Sequence, residues 1–328
     1  MKLAFVALTA SLMMSGAAHS QEREAPEAED PQIAKLVAQA DALADEEKNK
    51  VINTRFVVER YCHPEPTSGQ TRVWASQILP ATSAFDNLHY VGHTRYGYWV
   101  VETSEGLILL DGGDSAEDVR NYIEPGLTSL GLDPNDLKYV VIMHGHADHW
   151  GGAKYLQDTY SPTVVLGAGD WDMLEDEDPN GSRGAPPTRD FELTGDYDLV
   201  LGDTTVHLVS TPGHTPDGYS AFVEVRDGEE THMVSMWGGT SIPRDAEGVA
   251  QYSESLKRFT EMSDELNAEV LISNHPYVGT AQNGIMMLGY REEGEPNPFV
   301  VGEEAVLRYY KALDLCMQAA HLRALAEK

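Results

Sequence analysis

Four side chains able to bind a metal, His144, His146, Asp148 and His149, fall within six residues of sequence. Imidazole and carboxylate are ligands that a borderline cation such as zinc accepts. They follow the apolar run 139–143 (Tyr-Val-Val-Ile-Met), which reads as a buried strand. A strand sends alternate side chains to one face, so His144 and His146 are expected to close on one ion, with Gly145 leaving the backbone room to bend. Asp148 and His149, past the turn, then point elsewhere. Four ligands from so short a loop would crowd a single tetrahedral zinc, and the pattern suits two neighbouring ions better than one. Two further histidines, His214 and His275, stand in similar polar contexts downstream.

The string His-x-His-x-Asp-His after a buried strand resembles the signature of the metallo-β-lactamase superfamily, and three other segments are similar to that family in unbroken order. Leu107-Ile108-Leu109-Leu110-Asp111-Gly112-Gly113 resembles its early strand and Asp-Gly-Gly turn. Thr211-Pro212-Gly213-His214-Thr215-Pro216 and Ser273-Asn274-His275-Pro276 resemble the segments carrying its later metal histidines. The resemblance, from about residue 85 to about residue 275, implies an α/β fold of the αββα sandwich type. Two facing mixed β-sheets would have helices outside and metals at one edge. It further implies two Zn2+ ions, one on His144, His146 and His214, the other on Asp148, His149 and His275. Metal-bound hydroxide would be the nucleophile, Asp148 would orient it as well as bind metal, and Asp111 would fix the tautomer of a ligand histidine.

The stretch Trp237-Gly238-Gly239-Thr240-Ser241-Ile242-Pro243 departs from many relatives. Many superfamily hydrolases, including thioesterases and lactonases, put a metal-bridging Asp in this segment, and the first β-lactamase subclass puts a Cys there. Here the position falls on Gly238 or Gly239, which cannot coordinate through a side chain. A site without a bridging residue resembles the third subclass of metallo-β-lactamases, where a serine near this segment contacts the substrate carboxylate; Ser241 is the match. The implied activity is opening of a β-lactam amide, with a lactonase, esterase or other small-molecule hydrolase on the same metals as the alternative. By the same resemblance the linker 92–97 lies on the rim of the cleft, making His93, Arg95 and Tyr96 substrate-contact candidates.

Composition narrows the partners. The formal charge of −30, from 23 Lys+Arg against 53 Asp+Glu, repels polyanions. Superfamily nucleases need a positive groove for phosphates, so a small-molecule substrate and no nucleic acid is the expectation. Met1-Lys2, an apolar stretch 3–14, and small residues at Ala18 and Ser20 read as a signal peptide over 1–20, too short in its core to span a bilayer. The mature chain is therefore expected in a periplasm, with no membrane contact once the signal is removed. Cys62 and Cys316, the only two cysteines, allow one bridge between the N-terminal extension and the C-terminal helix. The oligomeric state is open.

These ligands need a scaffold. Residues 21–83 read as an extension, with an amphipathic helix over 31–49 through Ile33, Leu36, Val37, Ala40, Leu43 and Ala44, expected to act as a brace. The hydrolase domain is expected over 84–328, starting with paired strands at 89–91 and 98–101. Strand 107–110, a helix capped by Ser115, and strand 139–143 form a βαβ unit that delivers His144. A strand at 163–166 follows, closed by Gly167-Ala168-Gly169, which offers no polar side chain to a site, and then a short helix around 170–174. Residues 175–190 have the composition of a surface loop, in which Arg183 and Arg189 are expected to balance acidic neighbours. Strands at 199–201, 205–210, 220–225 and 233–236, a helix at 252–266, the strand 270–272 that presents His275, and a closing helix 306–325 complete the chain.

Overall fold

A computed structural model describes residues 29–49, 51–63, 77–243 and 245–326. The expected signal peptide 1–20 lies outside them. Two helices lead, α1 (Pro31–Glu46) and α2 (Thr54–Tyr61). The first sheet follows in order along the chain, from β1 (Thr82–Phe85), β2 (Leu88–Gly92), β3 (Gly97–Thr103) and β4 (Gly106–Leu110) to β5 (Leu137–Val141), β6 (Thr163–Gly167) and β7 (Phe191–Leu193). Its first four strands form an antiparallel meander, and β4 to β7 run parallel. The crossovers between the parallel strands carry α3 (Ala116–Asp118), a π-helical turn Val119–Ile123 and α4 (Glu124–Ser129), then α5 (Ala147–Trp150), α6 (Ala153–Tyr160) and α7 (Ala168–Glu175). The second sheet has the order β12-β11-β10-β9-β8, from β8 (Tyr197–Leu201), β9 (Thr204–Ser210), β10 (Tyr219–Asp227), β11 (Glu230–Met236) and β12 (Val270–Ile272). Only β11 and β12 pair in parallel there, around α8 (Ala246–Glu265). Helices α9 (Ala281–Leu288) and α10 (Glu303–Ala326) close the chain.

The αββα layering follows from the period of two along each strand. In β4, Ile108 and Leu110 face the core between the sheets while Leu107 and Leu109 face the helices outside. In β10, Ala221 and Val223 point inward and Phe222 points to the opposite helical layer. At these central strands both faces are covered, which is why they read as continuous apolar runs, whereas the edge strand β8 keeps an exposed outer face. Each fully buried Leu or Val contributes about 1.5–3 kcal/mol to the folded state.

The N-terminal extension is part of the outer layer. Ile33, Val37, Ala40 and Ala44 of α1 and Val57 and Val58 of α2 join one apolar cluster with α8 and α10. Asp30 caps α1 by accepting from the Gln32 N–H, and Asn53 caps α2 by accepting from the Phe56 N–H. Cys62 and Cys316 are bonded, with their Cα atoms 4.5 Å apart.

Several boundaries differ from the sequence reading. Strand β5 ends at Val141, so His144 lies past the last paired residue. Helix α7 begins at Ala168, placing Asp170 inside its first turn, and α8 begins at Ala246 because Asp245 caps it. Strands β1 and β7 are three or four residues long, too short to show a period.

Candidate metal centre

Ends of strands and the loops beyond them converge at one edge of the sandwich. His144 and His146 sit in the turn between β5 and α5, and Asp148 and His149 lie on α5 itself. His214 comes from the turn between β9 and β10, and His275 from the loop after β12. His144, His146 and His214 offer ligand atoms that all lie within 4.8 Å of one another, and so do Asp148, His149 and His275. The pleat of a strand is not what brings His144 and His146 together, since both lie beyond β5. Gly145 does not take a left-handed φ either. What holds this turn is Asp170, whose Oδ2 accepts from the Gly145 N–H at 2.6 Å.

Asp170 also ties the second histidine loop. The Thr215 hydroxyl donates to its Oδ2 at 2.6 Å, and the Asp217 N–H donates to its Oδ1 at 2.9 Å. One fully buried carboxylate therefore fastens the turn of His144 and His146 to the turn of His214. Sequence reasoning passed over it. A carboxylate in the first turn of a helix is ordinary in sequence, and nothing local distinguishes a solvated one from a buried one.

Three of the histidines have a ring nitrogen fixed by a partner outside the cluster. His149 Nδ1 lies 2.8 Å from Asp111 Oδ2, His214 Nδ1 is 2.6 Å from the Ser241 carbonyl, and His275 Nδ1 is 3.2 Å from the Arg95 carbonyl. With Nδ1–H donating in each, Nε2 is left with its lone pair. Asp111 holds a left-handed backbone, φ 68°, while its Oδ1 accepts from the Met143 N–H at 2.8 Å. That second bond helps hold a conformation that is unfavourable for a residue other than glycine.

The donor set fits a cation. His149 Nε2 and His144 Nδ1 are buried without a hydrogen-bond partner, an unfavourable state unless something binds them. His146 Nδ1 and His214 Nε2 face each other at 3.1 Å, a spacing that a shared proton or a shared cation accounts for. Burial, reinforced by the neighbouring imidazoles, pushes His144 well below the usual imidazole range. The same causes lower His214 to about 3, and burial with His149 lowers His275 to about 4. These rings are neutral at pH 7, as ligands must be. Burial would raise the Asp148 carboxyl, but His149 and His275 bring it below its ordinary value, so it is an anion.

The other sequence candidates divide. Ser241 has an exposed side chain, and it is its backbone carbonyl that touches His214. Tyr96 is buried with its ring 5.6 Å from that of His275, and the exposed Arg95 guanidinium stands 5.1 Å from the Tyr96 ring centroid. His93 turns to Asp118 at 3.3 Å. Arg183 pairs with Asp114 and hydrogen-bonds Tyr96, whereas Arg189 is bound by Asp172, Glu175 and Glu192.

Neither Gly238 nor Gly239 could carry a bridging side chain. A Cβ on Gly238 would lie 1.8 Å from the Tyr219 carbonyl oxygen, and one on Gly239 would lie 2.6 Å from the Cβ of His214. The Gly238 carbonyl is held by the Asn274 amide at 2.9 Å, and the Gly239 carbonyl accepts from the Tyr252 hydroxyl at 2.6 Å.

Residues 98–227 match the family model described as the metallo-beta-lactamase superfamily. An N-acyl homoserine lactonase of a Bacillus species is 30% identical over 148 residues, covering 38% of this chain. The chain spans 57% of the length of that relative. Among solved structures, BJP-1, a subclass B3 metallo-beta-lactamase of Bradyrhizobium japonicum, superposes with a TM-score of 0.64 at 24% identity, covering 78% of this chain and 98% of that one. The metallo-beta-lactamase GOB-18 from Elizabethkingia meningoseptica gives 0.62 at 21% identity, covering 77% and 94%. At such identities the two structures establish a shared fold.

Proposed function

We propose, from a chain that carries a metallo-beta-lactamase superfamily domain, that it is an exported di-zinc hydrolase opening the amide of β-lactams. The observation that carries this reading is a pair of three-donor clusters beside a backbone with no room for a bridging carboxylate at 238 or 239. His144, His146 and His214 would hold one zinc, and Asp148, His149 and His275 the other. Zinc there supplies Lewis acidity and lowers the pKa of a water to about 7.

The chain's own groups do the rest. Asp111 and the Ser241 and Arg95 carbonyls keep three imidazoles in the tautomer that presents Nε2. Asp148, an anion in the cluster, can accept a hydrogen bond from the attacking water and orient it. Arg95, above the Tyr96 ring at the rim, offers a cation to a substrate carboxylate. The hydroxyl of Ser241, an exposed residue whose carbonyl holds His214, would make the same contact. Export rests on the signal-like residues 1–20 and agrees with the disulfide, since bridges persist in oxidising compartments. Among the described residues no helix is long and apolar enough to cross a membrane.

A second reading, hydrolysis of a lactone, is favoured by the similarity to the Bacillus lactonase. Turnover of nitrocefin, a penicillin, a carbapenem and an aryl lactone by zinc-loaded protein separates the two. Lactone turnover with all three β-lactams inert would overturn the first reading.

A further inference from the structure

Helix α2 lies outside the matched domain, yet it is fastened at both ends to elements of the metal centre or its support. Before it, the Asn53 N–H donates to the Gly279 carbonyl at 3.1 Å, in the loop that follows His275. After it, Cys62 is bonded to Cys316 of α10. Between these points the helix touches the loop of His275 and the 237–243 loop that packs on His214. The Phe56 ring is 5.7 Å from that of Tyr277, which in turn is 5.3 Å from that of His275. The Tyr61 hydroxyl bonds that of Thr240, between Gly239, packed on His214, and Ser241, whose carbonyl holds His214.

Arg60 stands beside these contacts. It is exposed, its guanidinium is 5.5 Å from the Tyr61 ring centroid, and its charge acts on the Tyr277 phenol. It has no carboxylate partner among the described residues, although Asp and Glu outnumber Lys and Arg 53 to 23. Arg95 likewise has no ion pair there, above the Tyr96 ring on the other aromatic neighbour of His275.

We propose that α2 forms a wall of the metal pocket and that Arg60 is a specificity-determining residue, binding an anionic group of the substrate. Tyr277 and Tyr96 both flank His275, and each has an arginine near it. Among the described residues no carboxylate occupies Arg60, whose internal hydrogen bond goes to the neutral Tyr61 hydroxyl, so an incoming carboxylate can take up a charge-assisted hydrogen bond there. The inference deepens the hydrolase reading and rests on it for the metal.

The test uses equilibrium binding rather than turnover. The probes are mercaptoacetate, 3-mercaptopropanoate and 4-mercaptobutanoate, each compared with its neutral amide, bound to zinc-loaded full-length protein. The thiol takes the metal, and the carboxylate samples the wall at graded reach. Arg60→Ala is expected to weaken at least one carboxylate about tenfold and to leave the amides unchanged. Arg60→Lys should recover most of the loss, and zinc content should match wild type. Equal binding of all carboxylates by wild type and Arg60→Ala overturns the assignment, as does a parallel loss for the amides. If wild type binds neither series, the metal reading itself fails, and this inference fails with it.

Discussion

Asp170→Ala removes one acceptor from three donors, the Gly145 and Asp217 amides and the Thr215 hydroxyl. Leaving a buried donor unsatisfied costs roughly 1–3 kcal/mol, so three cost about 3–9 kcal/mol before compensation. Part of this is returned, because burial disfavours the carboxylate itself and raises its pKa. A net loss of about 3 kcal/mol is expected, a large share of the roughly 5–15 kcal/mol typical of a folded domain. The turn of His144 and His146 also loses its tie to the turn of His214, so zinc affinity should fall about 10- to 100-fold, as when a group orienting a ligand is removed. Urea unfolding of the chelated protein measures the first effect, and competition with a zinc chelator the second. Asp170→Asn retains one acceptor oxygen and should fall between. A loss under about 1 kcal/mol with unchanged zinc affinity would refute the account of Asp170 as the clamp between the two loops.

Three other outcomes follow from the same geometry. His146→Ala should take zinc from the first cluster and abolish hydrolysis while the protein still folds, since this ring is the exposed member of its set; metal analysis and circular dichroism check it. Ser241→Ala should raise KM for carboxylate-bearing substrates more than it lowers kcat and leave zinc content unchanged, because the carbonyl that holds His214 is retained. The chelated protein should lose stability as pH falls. His214 and His275 have folded pKa values near 3 and 4, below the ordinary imidazole value of 6.5, so the unfolded chain takes up their protons first. Their contribution is complete above about pH 6.5 and declines toward pH 3–4, partly offset by His149, whose pKa is raised by Asp111 and Asp148 against the effect of burial. Urea midpoints at pH 7.5, 6 and 5 should decrease in that order.

The candidate metal donors were legible because the sequence crowds four of them into six residues and places the later two histidines in turn-like strings. The layering was legible in strands such as 107–110, whose apolar run is long enough to show that both faces are covered. Contacts between distant loops were not. Asp170 acts across 25 residues to Gly145 and 45 to Thr215, and Ser241 works through a carbonyl that every residue possesses. Helix α2 was lost for a local reason, because a helix of eight residues with neighbouring prolines gives too little period to recognise.

The Cys62–Cys316 bond encloses a span of 254 residues that contains every candidate ligand. In the chain-entropy picture, tying a loop of this size removes about 5.5 kcal/mol worth of freedom from the unfolded ensemble. The cross-link also makes the body between the two cysteines a closed ring of polypeptide. A single cut in the exposed loop 176–190 would open that ring without separating its two pieces, so a nicked molecule would keep both halves of its metal cradle on one covalent framework.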